Sequence, residues 1–198
     1  MLNTEDAIFQ EGWSAVRAAY ERALASGKRN MNAMSLATVD AAGAPSIRTV
    51  LLKTMDANGL LFFTDKRSRK GQNIEHDPRA SICFYWEAIE EQVRVDGHVQ
   101  ALDEATIAQD FQARPRTDQI LISTSVQSHP IDSMADLASA AADYDQTHPD
   151  ELPVPPQWTG YRLVPHYIET WQGRRDRLHQ RIAYTAADEG WAKRRLQP

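Results

Sequence analysis

The chain of 198 residues contains one cysteine, Cys83. A lone thiol makes no internal disulfide and no cysteine-rich metal site, so stability has to come from packing. No run approaches the roughly 18 apolar residues of a membrane-spanning helix. The first residues, Met1-Leu2-Asn3-Thr4-Glu5-Asp6, show no basic leader followed by an apolar core, and a soluble cytoplasmic protein is expected. Glycine is scarce at nine residues, and neither G-x-G-x-x-G nor G-x-x-x-x-G-K-[ST] occurs. The usual glycine-rich phosphate cradles are therefore excluded, and any nucleotide-like ligand must be held by side chains. With 22 basic and 27 acidic residues the net charge is −5, which gives nucleic acid no general footprint.

At 42% apolar and 25% charged residues, the composition suits one globular domain over residues 1–198. Arginine outnumbers lysine 17 to 5, and its planar fork grips phosphates and carboxylates bidentately. Lys66-Arg67-Ser68-Arg69-Lys70 and Arg174-Arg175-Asp176-Arg177 are thus candidate anion sites in an acidic chain. The five histidines other than His179 show no ligand spacing, and no metal is assigned.

Phe9, Trp13, Val16, Tyr20 and Leu24 recur at helical steps and predict a helix over 4–26, capped by Thr4 and ended by Gly27. Strands follow at 34–39, 46–54 and 60–64, separated by Asp40-Ala41-Ala42-Gly43 and Asp56-Ala57-Asn58-Gly59, in meander order. A short helix over 68–76 is stopped by Asp77-Pro78. Strands at 80–86 and 92–102 come next, with Gly97 a candidate bulge. Helices are expected from an Asp103 cap through Phe111 and over 133–144 from a Ser133 cap. The four prolines within 149–156 mark a connector inside the domain, and the tail reads as strands at 161–164, 167–171, 182–185 and 191–196. Seven to nine strands with three peripheral helices predict a mainly β fold with flanking helices, a closed or partly closed antiparallel barrel.

Arg48 and Lys53 stand five residues apart on one expected strand and so face opposite ways. Phe63-Thr64 ends the next strand. Ser68, Arg69 and Lys70 open a short helix, where a hydroxyl, two cations and free N–H groups make a candidate phosphate nest. Arg177 and His179, at i and i+2 of an expected extended segment, point the same way.

These residues, together with Phe84-Tyr85-Trp86, Glu91-Gln92-Val93, Ala113-Arg114-Pro115-Arg116, Gln127-Ser128, Trp171-Gln172-Gly173, Arg177-Leu178-His179 and the closing Arg194-Arg195-Leu196-Gln197-Pro198, resemble the pyridoxine 5′-phosphate oxidase family. The resemblance runs in order from about residue 34 to residue 198. It implies a split β-barrel homodimer with FMN at the subunit interface. It also implies an FMN-dependent oxidase that converts pyridoxine or pyridoxamine 5′-phosphate to pyridoxal 5′-phosphate with dioxygen as acceptor. The implied flavin residues are Arg48, Lys53, Phe63, Thr64, Ser68, Arg69, Lys70, Gln92, Gln127, Ser128, Trp171 and Arg181. Arg177 and His179 are implied to flank the substrate ring as catalytic residues, and Lys53 and Arg114 to hold its phosphate.

The sequence departs from the family at Asp110 and Asp118, which stand where members carry a tyrosine and a serine on that phosphate. If all four groups share a pocket, its charge falls from +2 to zero. Asn30 stands where members often carry an acidic residue. Two other readings stay open: a related flavin oxidase of a non-phosphorylated substrate, as in phenazine biosynthesis, and a non-catalytic FMN-binding protein. Retention of Lys53, whose loss is expected in the phenazine branch, ranks the former second.

Overall fold

The structure is a computed structural model that describes residues 4–198. The leaderless reading of the first six residues falls partly on residues 1–3, outside the described residues. Helix α1 (Ala7–Ala25) starts at Asp6, not Thr4: the Asp6 carboxylate accepts from the Ile8 and Phe9 N–H groups at 2.8 and 3.0 Å. Its second oxygen accepts from Trp191 N–H, which ties the helix start to the far end of the chain. Gly27 follows the helix at φ +67°, the left-handed backbone expected of a terminator.

Among the described residues nine strands form one antiparallel sheet: β1 (Ala33–Val39), β2 (Pro45–Leu51), β3 (Thr54–Asp56), β4 (Gly59–Asp65), β5 (Arg79–Trp86), β6 (Glu91–Ala101), β7 (Trp158–Gln172), β8 (Gln180–Ala187) and β9 (Gly190–Leu196). The order is β2-β1-β5-β6-β7-β4-β3, with β8 on β7 and β9 on β8. The expected meander is corrected here, because β4 pairs with β7 and not with β2. The sheet branches at β7, which pairs with β4 through its first half and β8 through its second. Between β2 and β3 the backbone joins the two edges: Leu52 N–H donates to Asn32 O and Lys53 N–H to Leu61 O, each at 2.8 Å.

The two strands expected at 161–164 and 167–171 are one continuous strand, although Pro165 supplies no ladder N–H. The sheet accommodates it with a register shift at Asp96/Gly97, placing Gly97 against Pro165. Any Cβ on Gly97 would lie 2.2 Å from the Val164 carbonyl oxygen, so the predicted bulge also requires its glycine.

Alternation in β1 and β5 sends Met34, Leu36, Ile82 and Phe84 inward, where they meet Phe62, Val93, Val95 and Ile168. Phe9, Trp13 and Val16 of α1 close the core against Tyr184 and Trp191. The remaining helices are α2 (Arg69–His76), α3 (Glu104–Gln112), α4 (Arg116–Thr124) and α5 (Met134–Thr147); of the five, α4 alone has no counterpart among the helices expected. Ser68, Asp103 and Ser133 cap α2, α3 and α5. Helix α4 has Pro115 at its cap position and no capping side chain. Phe111, Ile120 and Leu152 form a small second cluster beneath α3 and α4.

Candidate active site

Strand β4 delivers Phe63 and Thr64 to a cavity of about 510 Å³, and the α2 N-terminus brings Lys70 beside them. The α2 turn can fold this tightly only with Gly71, since a Cβ there would lie 2.4 Å from the Lys66 carbonyl oxygen. Ser68 is fully buried as the α2 cap. Lys70 Nζ donates to Thr64 Oγ1 at 2.9 Å, Ser68 Oγ at 3.1 Å and Gln127 Oε1 at 2.7 Å. All three acceptors are neutral. Burial, with Arg48 nearby, lowers the Lys70 ammonium from 10.5 to about 8. Arg48 donates to Leu36 O, Thr38 Oγ1 and Ser46 Oγ, again neutral groups, and burial and Arg69 push it down as well. Asp65, five residues before Lys70, is held by Arg67 at 2.7 Å, and that guanidinium keeps its carboxyl below the usual range despite burial.

Lys53 and Arg114 border the same cavity. The expectation that Arg48 and Lys53 face opposite ways is corrected: β2 ends at Leu51, so strand alternation does not reach Lys53. Lys53 Nζ lies 2.9 Å from Asp110 Oδ1, and Arg114 Nε donates to Asp110 Oδ2 at 2.8 Å. The Asp110 side chain is 3% exposed. Lys53 approaches Oδ1 off the hydrogen-bonding direction, so that oxygen has a neutralising charge but no donor among the described residues. The Arg114 guanidinium lies 4.6 Å from the Trp158 ring centroid and 6.0 Å from that of Phe63. Asp118, in the first turn of α4, is exposed and outside the cavity wall. Its neighbour Arg116 pairs instead with Asp145 at 2.7 Å. The charge on this side of the cavity is therefore one net positive, not zero.

The other expected residues lie elsewhere. Gln92 and Trp171, cross-strand partners on β6 and β7, line a separate cavity of about 250 Å³. Arg181 on β8 is committed to buried Glu169 at 2.7 Å and to the Gln197 carbonyl. Arg69 is exposed, 3.8 Å from Asp40, and outside the 510 Å³ cavity wall. Arg177 sits in a bend at φ +65°, so the extended geometry expected for Arg177 and His179 is corrected. His179 lines a third cavity, of about 530 Å³, and its ring centroid is 5.0 Å from that of Trp171. His179 Nδ1 accepts from Arg174 N–H at 3.1 Å, which places the proton of a neutral ring on Nε2. Asn30 takes φ +58° in the turn before β1, a backbone role that asparagine tolerates. Reading of the sequence missed Asn32 and Trp158, which also line the 510 Å³ cavity. Only the aromatic character of Trp158 signalled it.

A branched antiparallel barrel with a cation-rich cavity at a helix start defines a split-barrel protein equipped for an anionic, planar ligand. The family model described as pyridoxamine 5′-phosphate oxidase matches residues 4–171, and that of the pyridoxine 5′-phosphate oxidase C-terminal dimerisation region matches residues 158–198. The chain belongs to this family of FMN-dependent oxidoreductases. It is similar to pyridoxine/pyridoxamine 5′-phosphate oxidases of Anaeromyxobacter dehalogenans (43% identity, 92% of each chain) and Herminiimonas arsenicoxydans (43%, 90% of this chain and 85% of the relative). Among solved structures it is similar to PhzG from Burkholderia lata 383 in complex with tetrahydrophenazine-1-carboxylic acid. That likeness has a TM-score of 0.89 and 30% identity over 93% of this chain and 91% of the other. An FMN-binding protein from Nostoc punctiforme shares the fold at TM-score 0.76 and 22% identity, over 92% and 96% of the two chains.

Proposed function

We propose that this protein is an FMN-dependent oxidase of a pyridoxine-type ring, with pyridoxine and pyridoxamine 5′-phosphate as the substrates to assay first and pyridoxal 5′-phosphate as product. The observation that carries the reading is the corner at Lys70: a buried ammonium with only neutral oxygen partners, at a helix N-terminus, in a cavity that also holds Arg48. Such a corner fits a phosphate monoester, which adds the missing negative charge. Thr64, Ser68 and Lys70 would hold the FMN phosphate, with Arg69 turning in from the surface. Arg48, Gln127 and Ser128 would meet the rest of the flavin. The chemistry that bound FMN would supply is hydride acceptance from the substrate carbon and passage of the electrons to dioxygen.

The balance is that of an alcohol giving an aldehyde while dioxygen becomes hydrogen peroxide. For an amine, water supplies the aldehyde oxygen and ammonia leaves. The chain's own residues orient and exclude water. His179, with its proton on Nε2 and its ring against Trp171, and Arg177 would face the reacting carbon. In one chain His179 and Gln92 line cavities other than that of Lys70, and Arg177 lies in the bend next to His179. A homodimer with FMN at the subunit interface, joined through the dimerisation region, supports a site that draws on both sets.

The test is aldehyde formation by purified protein supplied with FMN, pyridoxine 5′-phosphate and dioxygen. Turnover that disappears without FMN is expected, and none above background would end the assignment. A second reading, oxidation of a ring without phosphate, is favoured by the ion pairs that Asp110 makes with Lys53 and Arg114.

A further inference from the structure

The 510 Å³ cavity carries two pairs of cations in opposite electrostatic states. Arg48 and Lys70 have only neutral hydrogen-bond partners, so no carboxylate is bonded to either. Lys53 and Arg114 converge on one buried carboxylate, each within 2.9 Å. Arg114 is further fixed over the Trp158 ring, so its fork is not free to turn toward a ligand without leaving Asp110 buried and unpaired.

We infer that Asp110 is a specificity-determining residue: by committing Lys53 and Arg114, it leaves one net positive charge, which suits a substrate terminus that is neutral or a monoanion and not a phosphate dianion. Two cations facing a dianion would neutralise it. With the carboxylate between them, each phosphate oxygen that gains a cation also meets Asp110 at short range. The site then takes a ring bearing a hydroxymethyl or carboxylate group about as well as the corresponding phosphate. The inference rests on the proposed oxidase reading for which ring enters, but not for the charge at the pocket wall.

The experiment uses the FMN-loaded protein, in which the Lys70 corner is already filled. Inorganic phosphate, pyridoxal and pyridoxal 5′-phosphate are titrated separately, by calorimetry and by the flavin spectrum, into the wild type and into D110N. The wild type is expected to bind pyridoxal 5′-phosphate within about tenfold of pyridoxal. D110N, which keeps the shape and removes the charge, should raise that ratio and the affinity for inorganic phosphate at least about tenfold, equivalent to about 1.4 kcal/mol. D110S repeats the measurement should the asparagine variant fold poorly.

A wild-type preference for the phosphate of a hundredfold or more, or no gain of phosphate affinity in either folded variant, overturns the inference and leaves the proposed oxidation intact. Gain of inorganic phosphate by D110N, with neither pyridoxal form bound by any protein, supports the inference and instead removes the pyridoxine-type substrate.

Discussion

Two lysines face one cavity, and their surroundings differ in burial and in the charge of their partners. Lys70 is buried among a threonine, a serine and a glutamine, whereas the half-exposed Lys53 has a buried aspartate at 2.9 Å. The first is held in a state that an incoming anion improves. The second already has its anion, supplied by the chain. A count of cations would rate the two alike, but the carboxylate behind one of them decides which can respond to a ligand. This difference separates a corner suited to a phosphate from a wall suited to something less charged.

The largest expected effect comes from deleting the unsatisfied member. Lys70→Met should weaken FMN binding by about 3 kcal/mol, roughly a hundredfold, because a buried charge-assisted contact to phosphate is lost. Flavin fluorescence titration measures it. The same change should leave the apoprotein as stable or more so, since the wild type bears a buried ammonium with no opposite charge bonded to it. Loss of both affinity and apoprotein stability would make Lys70 a structural residue.

The pH dependence has a definite sign. With its pKa near 8 in the folded apoprotein against 10.5 unfolded, Lys70 holds fewer protons folded than unfolded between those values. Apoprotein stability should therefore rise with pH from about 8 to 10.5, by about 3 kcal/mol at most, and be flat below 8 as far as this group is concerned. FMN favours the charged form, so its affinity should fall as pH rises through 8, and Lys70→Met should abolish that slope.

The strands were legible because their burial is periodic: β1 and β5 alternate, and each helix with a serine or aspartate cap starts where that cap predicts or, at α1, two residues after the cap expected. Helix α4 was not. Its proline start lacks a capping side chain, and Ile120, Ile122, Ser123 and Thr124 dilute the helical signal. The meander was misread because pairing of β4 with β7 spans about a hundred residues, a contact that no local pattern encodes. At the site, the Lys70 corner followed from Ser68-Arg69-Lys70 because those residues are adjacent in the chain. The opposite fates of Asp110 and Asp118 did not, since they depend on the helix face each occupies: the i, i+4 spacing of Asp110 and Arg114 turns one inward to its partner, and the α4 first turn leaves the other in solvent.

That helix turn can be loosened without touching a charge. Gln119 is buried, and its Nε2 donates to the carbonyls of Phe111 and Arg114 at 3.0 Å and of Gln112 at 3.3 Å, closing the end of α3 next to the Asp110–Arg114 pair. Gln119→Leu removes that donor from the Gln112 and Arg114 carbonyls, while Phe111 O keeps the Arg114 N–H, and should cost about 1–3 kcal/mol in chemical denaturation. It should also raise pyridoxal 5′-phosphate affinity relative to pyridoxal, because Arg114 is freed to leave Asp110. The Lys70 corner, on another element, should keep its FMN affinity. A parallel fall in FMN affinity would mean that the two sides of the cavity are mechanically one, and the contrast between them would then be of charge only.

The smallest expected effect tests the phosphate corner from outside. Arg69 is mostly exposed, and its nearest acid, Asp40, is 3.8 Å away, a separation at which an ion pair in water contributes about 0–1 kcal/mol. Arg69→Ala should thus shift the apoprotein's unfolding midpoint by less than the other variants do. If Arg69 turns in on the flavin phosphate, the variant's FMN affinity should nonetheless fall by about tenfold at low salt, and by less as salt rises, because an exposed guanidinium is screened. Lys70→Met, acting through a buried group, should lose affinity almost equally at low and high salt. An Arg69→Ala protein that binds FMN like the wild type at every ionic strength would confine the phosphate contact to the buried lysine, its hydroxyl neighbours and the α2 N–H groups.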